Sequence, residues 1–195
     1  MVFKRRFKNI LFDLFDMIAF LMFVWWIVLF IRFYVANPYT VVWASMYPTF
    51  QENDFIVVDK ITPRFGQLKR GDVIVFVPPG KTIPYIKRIV GLPGETVKLE
   101  NGNVLICPHH DINACTPLNE SRYLSGSVKT DARCGISEFD ISTWWYFVMG
   151  DNRWFSTDSR CCFGLECYQW SSYEAPFNNI IGKVYIRFFP KFTTF

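Results

Sequence analysis

The sequence predicts a mainly β domain that follows a single membrane-spanning helix. Two observations support this prediction: an apolar run near the N-terminus of the 195-residue chain, and a succession of short strand-like segments after residue 40. No long stretch after residue 40 has the spacing of apolar residues that is typical of a helix. Short runs of β-branched and aromatic residues separated by Gly, Pro and Asn are typical of an all-β or mainly β fold.

The N-terminal anchor is predicted at residues 14–35, after a short basic tail at residues 1–13. Residues 17–31 contain no charge, proline or glycine, and the wider segment reaches the ~20 residues that a bilayer requires. A cleaved signal peptide has a shorter apolar core that ends in small residues. A retained anchor is therefore the favoured interpretation, because this run is longer and is followed by Arg-Phe-Tyr-Val-Ala.

The charges around the anchor predict its orientation. A cluster of basic residues precedes the apolar run: Lys4, Arg5, Arg6 and Lys8. Only Arg32 follows the run closely, so the N-terminus is expected in the cytoplasm and residues 36–195 on the other side of the membrane. All six cysteines lie after the run, which suits an oxidising compartment and some disulfides, although the sequence does not select their pairing.

The strand-like segments account for most of the chain after the anchor. They are residues 55–58, 73–77, 85–90, 96–99, 104–106, 144–149 and 180–188. Asn101-Gly102-Asn103 predicts a hairpin between two of them. Residues 100–142 are polar and rich in turn residues, so we expect an inserted loop or small cap that disulfides hold in place.

The composition also constrains the partners. Hydrophobic residues make up 51% of the chain and aromatic residues 19%, which is more apolar than a typical soluble domain. Aromatic residues recur to the C-terminus, so contact with a lipid bilayer is expected, with an aromatic-rich β core as the alternative. The net charge is +4 without a basic stripe interleaved with aromatics, so nucleic acid is not an expected partner.

Ser45 is the candidate nucleophile. It lies in residues 44–49 (Ala-Ser-Met-Tyr-Pro-Thr), where the proline favours a turn. Serines are common in turns, so the assignment depends on finding a base that can remove the hydroxyl proton. The only histidines, His109 and His110, are far in sequence from this segment, so a Ser-His-Asp triad fits poorly and a Ser-Lys pair is the better candidate.

Lys87 is the candidate base. A free lysine has a pKa of about 10.4 and must reach about 7–8 to accept a proton at neutral pH. Burial among apolar neighbours can supply that change. In a strand, Tyr85, Lys87 and Ile89 share one face, and Arg88 points to the other. The alternative is a lysine at the edge of a half-solvated strand, which is common.

Four segments in this order resemble the type I signal peptidases, which are serine proteases with a Ser-Lys dyad: residues 44–49, 70–76, 87–95 and 150–160. The resemblance extends from the anchor to Lys183 and is thin between residues 99 and 142. It implies that Ser45 and Lys87 are catalytic and that the domain is an antiparallel β catalytic domain of that family's type. It also implies removal of N-terminal signal peptides from exported precursor proteins, at the outer face of a bacterial cytoplasmic membrane and without a cofactor.

The resemblance further assigns supporting residues around the dyad: Ser156, Asp158, Arg160, Asp151 and Arg88. Ser156 is expected to hydrogen-bond the lysine amine. Asp158 is expected to pair with Arg160 beneath the site, and Asp151 with Arg88. The alternative is that residues 151–153 form an ordinary solvated turn.

Three aromatic residues depart from the family's pattern, and one methionine follows it. Met46 is expected to form part of the substrate-site wall, or otherwise to fill the core. Trp43 stands where part of the family carries a serine that supplies the second oxyanion donor, so that donor is left open and a backbone N–H is a candidate. Trp154 and Phe155 replace polar residues and make the site more apolar.

Two other functions and a metal site are alternatives to this hypothesis. One is a dedicated peptidase for a single substrate such as a pilin precursor. Another is a membrane-tethered β module that binds without cleaving. A zinc site at Cys107, His109, His110 and Cys115 has suitable ligand types but no familiar spacing, and exported cysteines more often form disulfides.

Overall fold

The computed structural model describes residues 2–108, 111, 114–165, 167 and 173–195, with side chains from residue 12 onward. The chain begins with helix α1 (Val2–Phe30), which runs into a π-helical turn (Ile31–Val35). Phe12–Val35 is a segment of 24 residues with mean hydropathy 2.5, and its most apolar part is not buried against the domain. By length and composition this helix can cross a bilayer, because 24 residues rise roughly 36 Å.

The rest of the described chain is built mainly of short antiparallel strands. They are β1 (Ala36–Thr40), β2 (Phe55–Asp59), β3 (Val73–Phe76), β4 (Tyr85–Gly91), β5 (Thr96–Glu100), β6 (Asn103–Cys107), β7 (Thr116–Pro117), β8 (Glu138–Asp140), β9 (Trp145–Met149), β10 (Ala175–Pro176), β11 (Ile180–Phe189) and β12 (Thr193–Thr194). A four-residue helix, α2 (Thr62–Phe65), follows β2. The predicted mainly β domain after an apolar helix is thus confirmed.

The larger sheet has the strand order β1-β2-β11-β3-β4-β9-β10, and β12 pairs with β11. Strand β2 alternates in burial, with Ile56 and Val58 in the core and Phe55 exposed, as one face meets the interior and the other does not. The central strand β3 is buried at all four positions, because both faces of the sheet are covered there. The site segments lie on this sheet and on the loops that leave it.

The smaller sheet has the order β7-β6-β5-β8 and packs against β9. Apolar side chains from both sheets fill this second core: Val97, Leu99, Val104, Phe139, Phe147 and Met149. Burying each such side chain is worth roughly 1.5–3 kcal/mol. The sheet begins at Thr96, so the inserted region expected at residues 100–142 shares its sheet with the strand before it.

Three disulfides join the six cysteines: Cys107–Cys115, Cys134–Cys161 and Cys162–Cys167. The first lies within the inserted region. The second joins that region to the segment that follows β9. The expected disulfides are therefore present, and one of them reaches the segment of the last motif.

The sequence predicted the long strands and missed the short ones. Residues 55–58, 85–90 and 180–188 fall within β2, β4 and β11. Strand β1 was not predicted, because it contains Pro38 directly after the anchor, and proline is unfavourable inside a sheet. The structure accommodates Pro38 because β1 is an edge strand of the sheet.

Candidate active site

Ser45 lies in a 3-10 turn (Ala44–Met46) that follows the end of β1. The side chain of Met46 is fully buried in the core beside Val41 and Phe50, and the Phe50 amide donates to the Met46 carbonyl over 3.0 Å. The buried Met46 side chain and this hydrogen bond fix the turn to the body of the domain. Ser45 itself is buried, with 9% of its surface exposed.

Lys87 reaches Ser45 from β4. Lys87 pairs with Ile74 in the neighbouring strand β3, so the Lys87 backbone is held in the middle of the sheet. The Lys87 Nζ donates to Ser45 Oγ over 2.8 Å and to the Ile86 carbonyl over 2.9 Å. The side chain is buried, and the Tyr85 ring centroid lies 5.3 Å from the amine. The structure therefore brings the two predicted dyad residues into contact, although they are 42 positions apart.

Burial lowers the pKa of Lys87 from 10.5 to about 8. The buried site opposes the charged ammonium, and the carboxylates of Asp158 and Asp151 only partly offset that effect. The guanidinium of Arg160 also acts against the ammonium. About one molecule in ten then carries a neutral amine at pH 7, which is the form that accepts a proton.

Asp151 and Arg88 form one buried ion pair beneath the dyad. Arg88 Nε and a terminal guanidinium nitrogen donate to the two Asp151 oxygens over 2.8 and 2.6 Å. A third nitrogen donates to the Gly71 carbonyl, and Thr49 Oγ1 donates to Asp151 over 2.5 Å. This two-point geometry is the strong form of an arginine–carboxylate contact, so it fixes the loop after β9 to β4.

Asp158 and Arg160 form the second buried pair. Two guanidinium nitrogens of Arg160 each donate to one Asp158 oxygen over 2.9 Å, and the Gly150 amide adds a third donor. Burial alone would raise the pKa of Asp158, but the hydrogen bonds and charge of Arg160 hold it below its usual value. Both expected ion pairs are present, so residues 151–153 are not a solvated turn.

Ser156 does not make the contact that was expected of it. Among the described residues its buried hydroxyl has no hydrogen-bond partner, so the predicted bond to the Lys87 amine is not formed. It is near enough to Asp158 to favour the carboxylate's charge. The Lys87 amine is instead held by the Ile86 carbonyl, which is adjacent in the chain and needs no other side chain.

Asn152 is a supporting residue that the sequence analysis left without a role. Its side-chain amide donates to the Ala44 carbonyl over 3.0 Å, and its backbone amide donates to the Ser45 carbonyl over 3.1 Å. These two bonds join the loop after β9 to the turn that carries Ser45. Since Asn is common in turns, its place in the last motif was the one available signal.

An apolar groove of about 380 Å³ runs past Ser45 and Lys87. Residues 39–43 and 83–86 line it, together with Phe155 and Thr157. Met46 does not line this groove, because its side chain is fully buried in the core, so the expectation that it forms the wall was wrong. The core-filling alternative is correct.

Trp43 and Phe155 make the rim of the groove aromatic. They are 69% and 81% exposed, so neither ring is packed into the domain. Trp154, at 67% exposed, is also free of the core. A peptide entering the groove therefore meets apolar rings at its rim.

The zinc alternative loses two of its four ligands to a disulfide. Cys107 and Cys115 are bonded to each other, so they carry no thiolate for a metal. His109 and His110 lie outside the described residues. Within the part of the chain that the structure describes, no group of three or more candidate ligands is brought together.

Gly150 is expected to tolerate no side chain. A Cβ at this position would collide with the Ser156 hydroxyl and the Ser45 carbonyl, which must then move. Because a displacement of 1 Å at a reacting group costs about 10²-fold in rate, Gly150→Ala should lower kcat for peptide cleavage by about that factor. Gly126→Ala is the control, since its Cβ would meet nothing within 4 Å. Equal rates for the two variants would refute this packing argument.

The comparisons with known proteins point in one direction. Residues 14–189 match the family model described as Signal peptidase, peptidase S26. Signal peptidase I T of Bacillus subtilis (strain 168) is 36% identical over 143 residues, which cover 70% of this chain and 70% of the relative. Signal peptidase I U of the same strain is 31% identical over 192 residues, covering 96% and 90%. A crystal structure of a signal peptidase I from Enterococcus faecalis V583 covers 60% of this chain and 96% of its own, at 24% identity and a TM-score of 0.39.

Proposed function

The chain belongs to the type I signal peptidases of the peptidase S26 family, and from this membership we propose that Ser45 is its nucleophile and Lys87 its general base. As a signal peptidase I it is a serine endopeptidase that removes signal peptides from precursor proteins. The observation that supports the assignment best is the 2.8 Å contact between the buried Lys87 amine and the Ser45 hydroxyl.

The chemistry follows from that contact. The neutral Lys87 amine accepts the proton of the Ser45 hydroxyl as its oxygen attacks the scissile carbonyl carbon. The resulting ammonium returns the proton to the leaving amine, and an acyl-enzyme on Ser45 remains. A water molecule then gives a proton to Lys87 as its oxygen attacks the ester carbon. The ammonium passes that proton to Ser45 Oγ as the C–O bond breaks, which releases the signal peptide and restores the hydroxyl and the neutral amine. No step consumes an external reactant other than water.

The surroundings of the dyad keep this cycle possible at neutral pH. A solvated lysine would be protonated and unable to start the first step. Burial favours the neutral amine, while Asp158 and Asp151 moderate the effect and stabilise the ammonium formed after attack. The Ser45 backbone N–H is one proposed oxyanion donor. The second donor stays open, because Trp43 offers no hydroxyl at the position where some relatives have one.

The groove fits an extended peptide with small side chains next to the cleaved bond. Residues 39–43 and 83–86 both line it and include the end of edge strand β1 and the start of β4, so an extended peptide can lie alongside strand backbone. The rings of Trp43 and Phe155 occupy space at the rim. We expect small residues just before the cut and two positions earlier, as the family membership suggests.

The location of the enzyme follows from its anchor. The apolar N-terminal helix and the bacterial signal peptidases that the chain resembles indicate membrane anchoring. We propose a single span with the N-terminus in the cytoplasm and the β domain on the outer face of the cytoplasmic membrane. The basic residues before the apolar segment and the disulfides after it support this orientation.

Contact between the β domain and lipid is also part of the proposal. Phe55, Phe188 and Phe189 are exposed and line an apolar hollow with Pro38 of β1. Strand β1 directly follows the anchor, so this hollow lies within a few residues of the expected bilayer surface. Exposed aromatic residues at that depth favour the membrane–water interface.

The test is cleavage of a panel of unrelated exported precursors by the full chain in detergent micelles, with Ser45→Ala as the blank. We expect the wild type to cut several precursors after small residues and the blank to cut none. Cleavage of a single pilin-type precursor would favour the dedicated peptidase. Binding without cleavage of any precursor would refute the proposed activity and leave the tethered binding module.

A further inference from the structure

Glu120 lies in the inserted region, outside the four segments of the family resemblance, yet it contacts Arg153 in the loop of residues 150–160. Its two carboxylate oxygens accept hydrogen bonds from two guanidinium nitrogens of Arg153 over 3.0 and 2.5 Å. The Arg153 side chain is 1% exposed and that of Glu120 is 14% exposed. A buried guanidinium with two parallel bonds to one carboxylate is held in a single orientation.

Arg153 in turn holds the loop of residues 150–160 at both ends. Its Nε donates to the Gly150 carbonyl over 3.0 Å, at the start of the loop. Its own carbonyl accepts a hydrogen bond from Arg160 over 2.9 Å, at the end of the loop. The orientation that Glu120 sets is thereby passed to the stretch that contains Asn152, whose two bonds hold the Ser45 turn.

Further contacts join the same inserted region to the site. Tyr123 donates to Glu120 over 2.7 Å, and the Arg88 guanidinium lies 4.0 Å from the centre of the Tyr123 ring. Arg133 donates to the Ser156 carbonyl over 3.1 Å, and the next residue, Cys134, is bonded to Cys161. Through Glu120, Tyr123 and Arg133 the inserted region thus contacts the residues around the ion pairs below Lys87.

We propose that Glu120 is a positioning residue of the peptidase: it orients Arg153, which holds the loop of residues 150–160 against Ser45 and Lys87. The inference rests on the proposed roles of Ser45 and Lys87. Glu120 does not line the groove, so it acts on the reacting groups and not on peptide binding. Besides Glu120, the Arg153 side chain donates to Gly150 in this loop and to Thr130 in the inserted region, so Glu120 and the loop share one guanidinium.

The kinetic test compares Glu120→Gln with Glu100→Gln in the full chain. Glu100 carries the same charge at the end of β5 in the smaller sheet and is half exposed, with Lys98 as its partner. Glu120→Gln replaces one accepting oxygen by a donor that faces the guanidinium, so kcat should fall about tenfold while KM stays within about twofold. Glu100→Gln should leave both unchanged. Glu120→Asp keeps the charge, so its kcat should fall less than that of Glu120→Gln. It takes the place of Glu120→Gln in the comparison if Glu120→Gln does not fold.

A second reading does not depend on cleavage. The pKa of Lys87, followed by NMR of lysines labelled with ¹³C at Cε, should move upward in Glu120→Gln as water reaches the amine, and should stay in place in Glu100→Gln. If the wild type cleaves and Glu120→Gln alters neither kcat nor this pKa, the positioning role is refuted. A loss confined to KM also refutes it. If the pKa moves but the wild type cleaves nothing, the proposed activity fails and the positioning role stands.

Discussion

Replacing Lys87 by methionine is expected to reduce precursor cleavage at least about 10³-fold and to make the folded protein more stable at pH 7. Methionine is similar in length and apolar, so it fills the same space without offering a base. The activity is lost because, among the described residues, the group that hydrogen-bonds Ser45 Oγ is the Lys87 amine, and methionine has no proton acceptor to replace it. The measurement is kcat/KM for a fluorogenic precursor peptide, with Ser45→Ala measured in parallel and expected to lose as much.

The gain in stability from Lys87→Met depends on pH. The pKa of Lys87 is about 8 when folded and 10.5 by reference, so the folded state holds its proton more weakly. Below pH 8 the folded protein bears a buried ammonium that the unfolded chain solvates freely, at a cost of roughly 3 kcal/mol. That cost is relieved as the pH rises from about 8 towards 10.5. The advantage of Lys87→Met in thermal unfolding should therefore be greatest near pH 7 and shrink over that interval.

Lys98→Met is the matched control, since Lys98 lies on a strand of the smaller sheet and is partly exposed. It should change neither the cleavage rate nor the stability by much. A Lys87→Met protein that cleaves at the wild-type rate would remove Lys87 from the mechanism. A variant that is inactive and also much less stable at pH 7 would show that the lysine is a structural residue.

Asp158→Ala is expected to lower the free energy of unfolding by roughly 3–5 kcal/mol. It leaves Arg160, at 1% exposure, with a buried charge that has lost its carboxylate. The amides of Gly150 and Arg160 lose their acceptor as well. For a chain of this size the midpoint of thermal unfolding should drop on the order of 10 °C. Cleavage should fall too, because Gly150 lies against Ser45.

The double variant Asp158→Ala/Arg160→Met separates pairing from packing. It should be less destabilised than Asp158→Ala alone, since no unpaired charge stays buried. Because the pKa of Asp158 is held low, its contribution to stability is present at neutral pH and is lost as the pH falls below about 4. The exposed Glu100→Ala should cost less than about 0.5 kcal/mol. An Asp158→Ala midpoint equal to that of Glu100→Ala would disprove the role given to this pair.

The strands were predictable because their signal is local. Ile56 and Val58 point inward and Phe55 outward within one run. Residues 101–103 predict a hairpin from their own sequence alone. Ser45 and Lys87 were predictable for a different reason. Neither is unusual in its own neighbourhood, and only the order of four segments resembling one family joined them.

What the sequence did not provide depends on contacts between distant residues. Glu120 meets Arg153 across 33 positions, from a polar segment with no strand signal. Met46 was assigned to the groove because it follows the nucleophile, but the 3-10 turn directs its side chain into the core. Ser156 was assigned to the Lys87 amine, whereas the Ile86 carbonyl already takes that place. Side-chain direction at such positions is set by packing, which no local pattern encodes.

The most direct test of the dyad is the titration of Lys87 itself in the full chain. Lysines labelled with ¹³C at Cε are followed by NMR in detergent micelles as the pH is raised, and the Lys87 signal is assigned by its loss in Lys87→Met. The predicted midpoint is about 8, well apart from the solvated lysines. A midpoint above ~10, the value of a lysine in water, would contradict a buried amine that serves as the base for Ser45.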